Sequence, residues 1–254
     1  MEDEQLLDIC LKVTGSFEGG TPRYDAVNGN SDREGMSAGI LQWNVGQGTL
    51  QILLTDTAAT MGWPTLNAFF KLDMEAMSHL PPQAAIAFVK RHFLIENDDN
   101  RFQQTALQAW RQFLSSPESV SAQRAYAEET VLAAAHRLAG RFVPEAADRT
   151  RVIAFFFDLI TQQGSMKTVE PIEGPASSGP ALFYAASQNI ACTTKWRAVV
   201  GDDPLAQKLL YYAFERVQLG IPAYMWDSLS RRGTIATRVG IVHETPIDLT
   251  EVLD

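Results

Sequence analysis

Cysteine is scarce. Cys10 and Cys192 are the only two in 254 residues, too few and too far apart for a disulfide framework or a metal-type Cys spacing, and both read as buried thiols. No run reaches the roughly 18 apolar residues that a membrane span requires. The opening Met-Glu-Asp-Glu-Gln has no basic stretch followed by an apolar one, so neither membrane insertion nor a signal peptide is expected. The four histidines, His79, His92, His136 and His243, form no HExxH or close ligand spacing, which leaves a zinc mechanism without support. A Gly-x-Ser-x-Gly elbow and a P-loop Gly-Lys-Ser/Thr ending are also missing, which sets aside serine-hydrolase and nucleotide-binding chemistry. Positive charge is in deficit: 21 Lys and Arg stand against 30 Asp and Glu, for a net charge of -9, and the basic residues are scattered. A nucleic-acid surface is disfavoured. The same acidity suits a cationic polymer and adds nothing toward one that bears carboxylates of its own.

What is present reads as an ordinary globular chain, 46% hydrophobic and 20% charged. We read it as one domain over 1–254, mainly α with a small β-hairpin or meander near the N-terminus. Residues 2–14 carry Leu6, Leu7, Ile9, Cys10 and Val13 at helical spacing, with Gly15 as a stop. From Gly15 to Gly48 the character changes: eight glycines with Asn28, Asn30, Ser31 and Asp32 favour turns and short strands, with 24–27 and 40–43 as extended pieces. Beyond Thr49 apolar residues recur three and four apart, predicting helices over 50–61, 66–77, 82–94, 100–115, 130–139, 147–163, 181–199 and 204–219. The stretch 169–180, VEPIEGPASSGP, reads as a surface loop long enough to be a lobe boundary or a flap.

The segment from Ser16 to Thr49 carries the candidate chemistry. Glu18 follows Phe17 and precedes Gly19-Gly20, a setting in which its carboxyl lies partly against apolar surface and keeps a proton available near neutrality. Asp32 comes fourteen residues later among Asn, Gly and Ser, where a carboxylate stays ionised. Two carboxyl groups in contrasting environments are what glycoside hydrolysis asks for: one protonates the leaving oxygen, the other activates water or attacks the sugar. Around them stand Asp32-Arg33-Glu34-Gly35-Met36-Ser37-Ala38-Gly39-Ile40, then Leu41-Gln42-Trp43-Asn44 and Gly46-Gln47-Gly48-Thr49-Leu50.

These residues resemble the catalytic region of the family-46 chitosanases and the wider lysozyme superfamily, in which a Glu ending the first long helix is followed by an Asp opening a short β-strand. The resemblance implies a lysozyme-like fold, with the segment of about 15–48 as one wall of a cleft between helical lobes. It implies Glu18 as general acid, Asp32 as base, and Ser37 as the hydroxyl that helps hold the attacking water. Ala38, Gly39 and Ile40 match the strand that follows. Arg33 stands where glycine is usual, Met36 where an aromatic is usual, and the Glu-to-Asp interval is shorter. Those departures point away from a true chitosanase. The Gly-Ile-Leu-Gln-Trp-Asn and Gly-Gln-Gly-Thr-Leu runs look like bacterial and phage proteins of the superfamily associated with peptidoglycan.

Substrate contacts are expected from Gln42, Trp43 and Asn44, since an aromatic face packs on a pyranose ring while amides bond hydroxyl and N-acetyl groups; Trp43 reads equally as core. Glu34 is a third carboxylate in the loop, a substitute base or substrate contact, and alternation along a strand would let only one of Asp32 and Glu34 face the cleft. Two later stretches fit the resemblance. Phe155–Gly164 holds Asp158 and reads either as a core helix with a paired carboxylate or as a helix bordering the cleft. Ser230–Ile235 holds Arg231 and reads either as a solvated C-terminal turn or as a substrate or positioning contact.

The expectation is therefore a muramidase-like hydrolase of the peptidoglycan glycan strand, inverting, with carboxyl groups roughly 6.5–9.5 Å apart. It needs no metal and no cofactor. Lacking a signal peptide, it would reach the wall by another route, as a delivered antibacterial effector, a phage lytic component or part of a larger protein, and an immunity or inhibitor protein would be a fitting partner. The alternatives are a chitosanase and, from another class, a non-catalytic glycan-binding module.

Overall fold

The computed structural model describes residues 3–17, 23–30, 33–146 and 148–253. The chain divides into two compact units, 23–127 and a larger one made of 1–22 with 128–254. Among the described residues no helix is long and apolar enough to cross a membrane, and no group of His, Cys, Asp or Glu is arranged to hold a metal.

The smaller unit opens with the expected meander: β1 (Val27–Asn28), β2 (Ser37–Ala38) and β3 (Trp43–Asn44), antiparallel in that order. Helices α2 (Thr49–Met61), α3 (Trp63–Phe70), α4 (Met74–Ser78), α5 (Pro82–His92), α6 (Gln104–Leu114) and α7 (Pro117–Tyr126) follow, with a hairpin of β4 (Leu94–Ile95) and β5 (Asp98–Phe102) between α5 and α6. Their core is aromatic: Trp110 lies 4.6 Å from Phe70 and 5.5 Å from Phe93, centroid to centroid. The helix predicted over 66–77 is two, because Lys71 takes a left-handed φ of 54° and Asp73 starts a new helix by accepting a bond from Ala76 N at 2.9 Å. Neither the hairpin nor α7 was anticipated. Residues 94–102 carry too few apolar positions to show an alternation, and α7 is mostly polar.

The larger unit contains α1 (Asp3–Ser16), α8 (Ala133–Phe142), α9 (Arg149–Gln163), α10 (Gly179–Gln188), α11 (Ile190–Val200), α12 (Pro204–Gln218), α13 (Met225–Thr237), a hairpin of β6 (Val239–Val242) and β7 (Thr245–Asp248), and the short α14 (Thr250–Leu253). Its centre is α9, buried from Arg151 to Leu159 with Phe155, Phe156 and Phe157 fully enclosed; a helix apolar all round belongs inside. The continuous helix predicted over 181–199 breaks at Asn189, whose side chain accepts from Cys192 N at 2.9 Å and caps α11. The loop from 169 to 178 is tied to its own unit, Ile172 N donating to Tyr212 Oη at 3.0 Å and Arg141 pairing with Glu170 at 2.7 Å. It borders an open cavity of about 950 Å³ whose lining includes Phe142 and Leu205 and none of the candidate site residues.

Both cysteines are buried and unbridged. Burial pushes the Cys10 thiol far above its ordinary value and also raises Cys192, although a hydrogen bond to Ile241 and the charge of Lys195 pull the latter back. A thiol-specific chromogenic reagent is therefore expected to label neither residue in the native protein within minutes and both after denaturation. Rapid native labelling would show that one of these sites opens.

Candidate active site

In the smaller unit the segment after Asp32 is built around two amides. Asn30, buried, accepts from Gly35 N at 2.7 Å through its side chain and from Arg33 N at 3.0 Å through its carbonyl. Asp32 and Glu18 both lie outside the described residues. Asn44 is the second organiser. Its Oδ1 accepts from Gly46 N at 2.8 Å and Gln47 N at 3.2 Å, and its Nδ2 donates to Ser37 Oγ at 3.0 Å. Register places the two residues opposite each other on β2 and β3.

The alternation of β2 decides which way Ser37 points. Met36 and Ala38 on either side are fully buried, so the Ser37 hydroxyl is on the other face and half-exposed. With one lone pair taken by Asn44, its proton is free to donate and its second lone pair to accept. That is the capacity needed to hold a water.

The amides expected to touch sugar are occupied here. Asn44 is buried and serves the turn and Ser37; Gln42 donates to Gly39 O at 2.9 Å and accepts from Asn28 Nδ2 at 2.5 Å. Trp43 is 2% exposed, edge-on to Tyr126 at 5.5 Å, so of its two sequence readings the core one holds and its ring face is not offered as a sugar platform. The reason is Gly39: at φ 77° it lets the turn close on the Trp43 ring and on Gln123 Oε1, where any Cβ would collide. Gln123, on α7, accepts from Ile40 N at 3.0 Å and pins that turn from 83 residues away, a contact with no local signal. Glu34 sits in a bend rather than a strand and its half-buried carboxylate lies against Gly46, so strand alternation does not govern its direction.

Arg33 has a φ of 68°, left-handed geometry that costs a side-chain-bearing residue strain and costs glycine none. Arg33→Gly is expected to stabilise the protein by about 0.5–1 kcal/mol, the relief exceeding the entropy that glycine adds to the unfolded chain. Urea unfolding of the two proteins checks it; a loss of stability would mean that the arginine side chain holds the loop.

In the larger unit the second group of candidates converges at the end of α1. Asp158, wholly buried on α9, accepts from Arg231 Nη2 at 2.8 Å and Nε at 3.3 Å. Gln162, its amide oxygen turned to accept, lies 3.0 Å from Arg231 Nε and 2.9 Å from Nη1. The Arg231 guanidinium lies over the Phe17 ring at 4.9 Å. Arg232 beside it is fully buried, and desolvation pushes its guanidinium down to about 10 against the opposing charge of Asp158. The solvated-turn reading of Arg231 is thereby corrected. Residues 228–237 of α13 are all buried, so the helix shows no amphipathic period, and its arginines are held by pairing rather than by water. Asp158 takes the paired-core reading.

No family model matches the sequence, and no curated protein matches it. Among solved structures the chain is similar to the native chitosanase of Bacillus subtilis MY002, at 15% identity and a TM-score of 0.49 over 92% of this chain and 87% of that one. A mutant of the same enzyme, complexed with 6 GlcN, is similar at 14% identity and a TM-score of 0.49 over the same shares.

Proposed function

We propose that the chain is a glycoside hydrolase that cuts the glycan strand of peptidoglycan with inversion, Glu18 protonating the glycosidic oxygen and Asp32 activating a water steadied by Ser37. The observation that carries this reading is the Ser37 hydroxyl, half-exposed five residues after Asp32 and oriented by Asn44, with capacity left to donate and to accept. The same buried amide that holds the turn at Gly46 and Gln47 also fixes the Ser37 hydroxyl. Asp158 and Arg231 assist from behind: Arg231, fixed by Asp158, stacks on Phe17, the residue that leads directly into Glu18.

A second reading, chitosanase, is favoured by the net charge of -9, which attracts a cationic polymer. The two are separated by mass spectrometry of soluble products from purified peptidoglycan, with chitosan in parallel and the anomeric form of fresh product read by NMR. Muropeptides of inverted configuration support the proposal; products from chitosan alone move the substrate; retention removes the role given to Asp32. Binding to either polymer without any cleavage identifies a glycan-binding module instead.

A further inference from the structure

The hairpin of β6 and β7 pairs Val242 with Thr245, which leaves His243 and Glu244 as a two-residue turn. Both have positive φ, 48° and 64°, in a turn whose geometry ordinarily selects Asn-Gly. Neither residue suits that backbone, and the His243 ring has two contacts that account for holding it there. Its Nε2 lies 2.5 Å from Asp227 Oδ1 on α13, and its Nδ1 lies 3.2 Å from the carbonyl oxygen of Phe17. Both partners are oxygen atoms able to accept a hydrogen bond.

The Phe17 carbonyl belongs to the peptide bond that joins Phe17 to Glu18. It emerges at the C-terminal end of α1, where carbonyls lack helical partners and a cation is favoured, yet the last turn of α1 has no basic residue of its own. His243 brings a ring nitrogen to that carbonyl from 226 positions away. The Phe17 ring is held from another side by Arg231. The ring and the carbonyl of Phe17 are thus held by separate groups.

We propose that His243, oriented by Asp227, is a positioning residue for Glu18, fixing the Phe17–Glu18 peptide so that the carboxyl is presented at the scissile oxygen. The catalytic half of this proposal rests on the reading of Glu18 as the acid. His243 is more than half exposed, as such weakly stabilising surface pairs are, so its removal should spare the fold and be felt in turnover.

The test compares the parent with His243→Ala, His243→Asn and Asp227→Ala, using soluble glycan fragments or chitosan oligomers, whichever the parent cleaves. Amide hydrogen exchange of the peptide following α1 is read alongside. His243→Ala should lose about ten- to a hundred-fold in kcat with KM nearly unchanged, since a small misplacement of an acid costs turnover rather than binding. Exchange at the end of α1 should quicken. His243→Asn, which keeps a donor near the Nδ1 position, should recover most of the loss, and Asp227→Ala should fall between. Parental kcat in His243→Ala overturns the proposal. So does a loss in all three variants, Asn included, that tracks a common fall in Tm. Should the parent cleave neither polymer, the enzyme reading fails and the catalytic half with it, while exchange still decides the anchor: faster exchange in His243→Ala sustains it, and unchanged exchange removes it.

Discussion

Glu18→Gln is expected to lower turnover by about two to four orders of magnitude while leaving glycan binding within a few-fold of the parent, the range general acid catalysis contributes. Glutamine keeps the shape and the hydrogen-bonding reach of the side chain but has no proton to give to a departing sugar oxygen. The loss therefore belongs to the transition state and leaves the ground-state complex intact. Product release from radiolabelled or fluorescent glycan measures the rate, and equilibrium binding to the same polymer measures the rest. A variant that cleaves at the parental rate would place the acid elsewhere in the chain; one that loses binding together with rate would make Glu18 a contact for substrate. A loss confined to rate leaves the role proposed here.

Asp158→Ala is expected to cost about 3–5 kcal/mol of stability, because it strips the carboxylate from buried cations rather than removing a pair together. Arg231 has a side-chain exposure of 2% and Asp158 of 0%, and the adjoining Arg232 already has its guanidinium pushed down by desolvation. Removing this buried acid leaves that positive charge with less to offset it, in surroundings that water does not reach. Asp158→Asn keeps the volume and an acceptor oxygen, so it should lose less than the alanine variant. Urea unfolding, with a fall in Tm on the order of 10 °C for Asp158→Ala, checks the claim. Equal and small losses for both variants would show that the charge is of no consequence and that Asp158 only fills space.

Much of the helical pattern was readable without the fold, because α1, α2 and α12 each repeat apolar residues at the spacing that turns one face inward, and α12 starts where Asp203, followed by Pro204, accepts from Ala206 N at 2.9 Å. The meander was readable for the opposite reason: glycine and asparagine between Asn28 and Gly48 can turn a chain where helix formers cannot. What misled was burial. On α13 every residue from Ser228 to Thr237 is inside, so polar and apolar positions no longer alternate, and two arginines that look solvated in one dimension are core residues in three. Trp43 shows the same ambiguity, its role settled by Tyr126 from a distant helix and by the positive φ of nearby Gly39.

Composition and local pattern by themselves determined that this chain is mainly helical and that a short meander follows the first helix, since periodicity and turn chemistry are properties of adjacent residues; the resemblance of residues 15–54 to a known catalytic region is what turned attention to Glu18, Asp32 and Ser37. Only the tertiary structure decided that Asn44 serves Ser37, that Asp158 holds Arg231 across 73 positions, and that His243 and Asp227 reach the carbonyl before Glu18. The Asp158–Arg231 pair exists because packing the helices of the larger unit around α9 brings remote polar groups into the same dry space, where each must find a partner or be expelled.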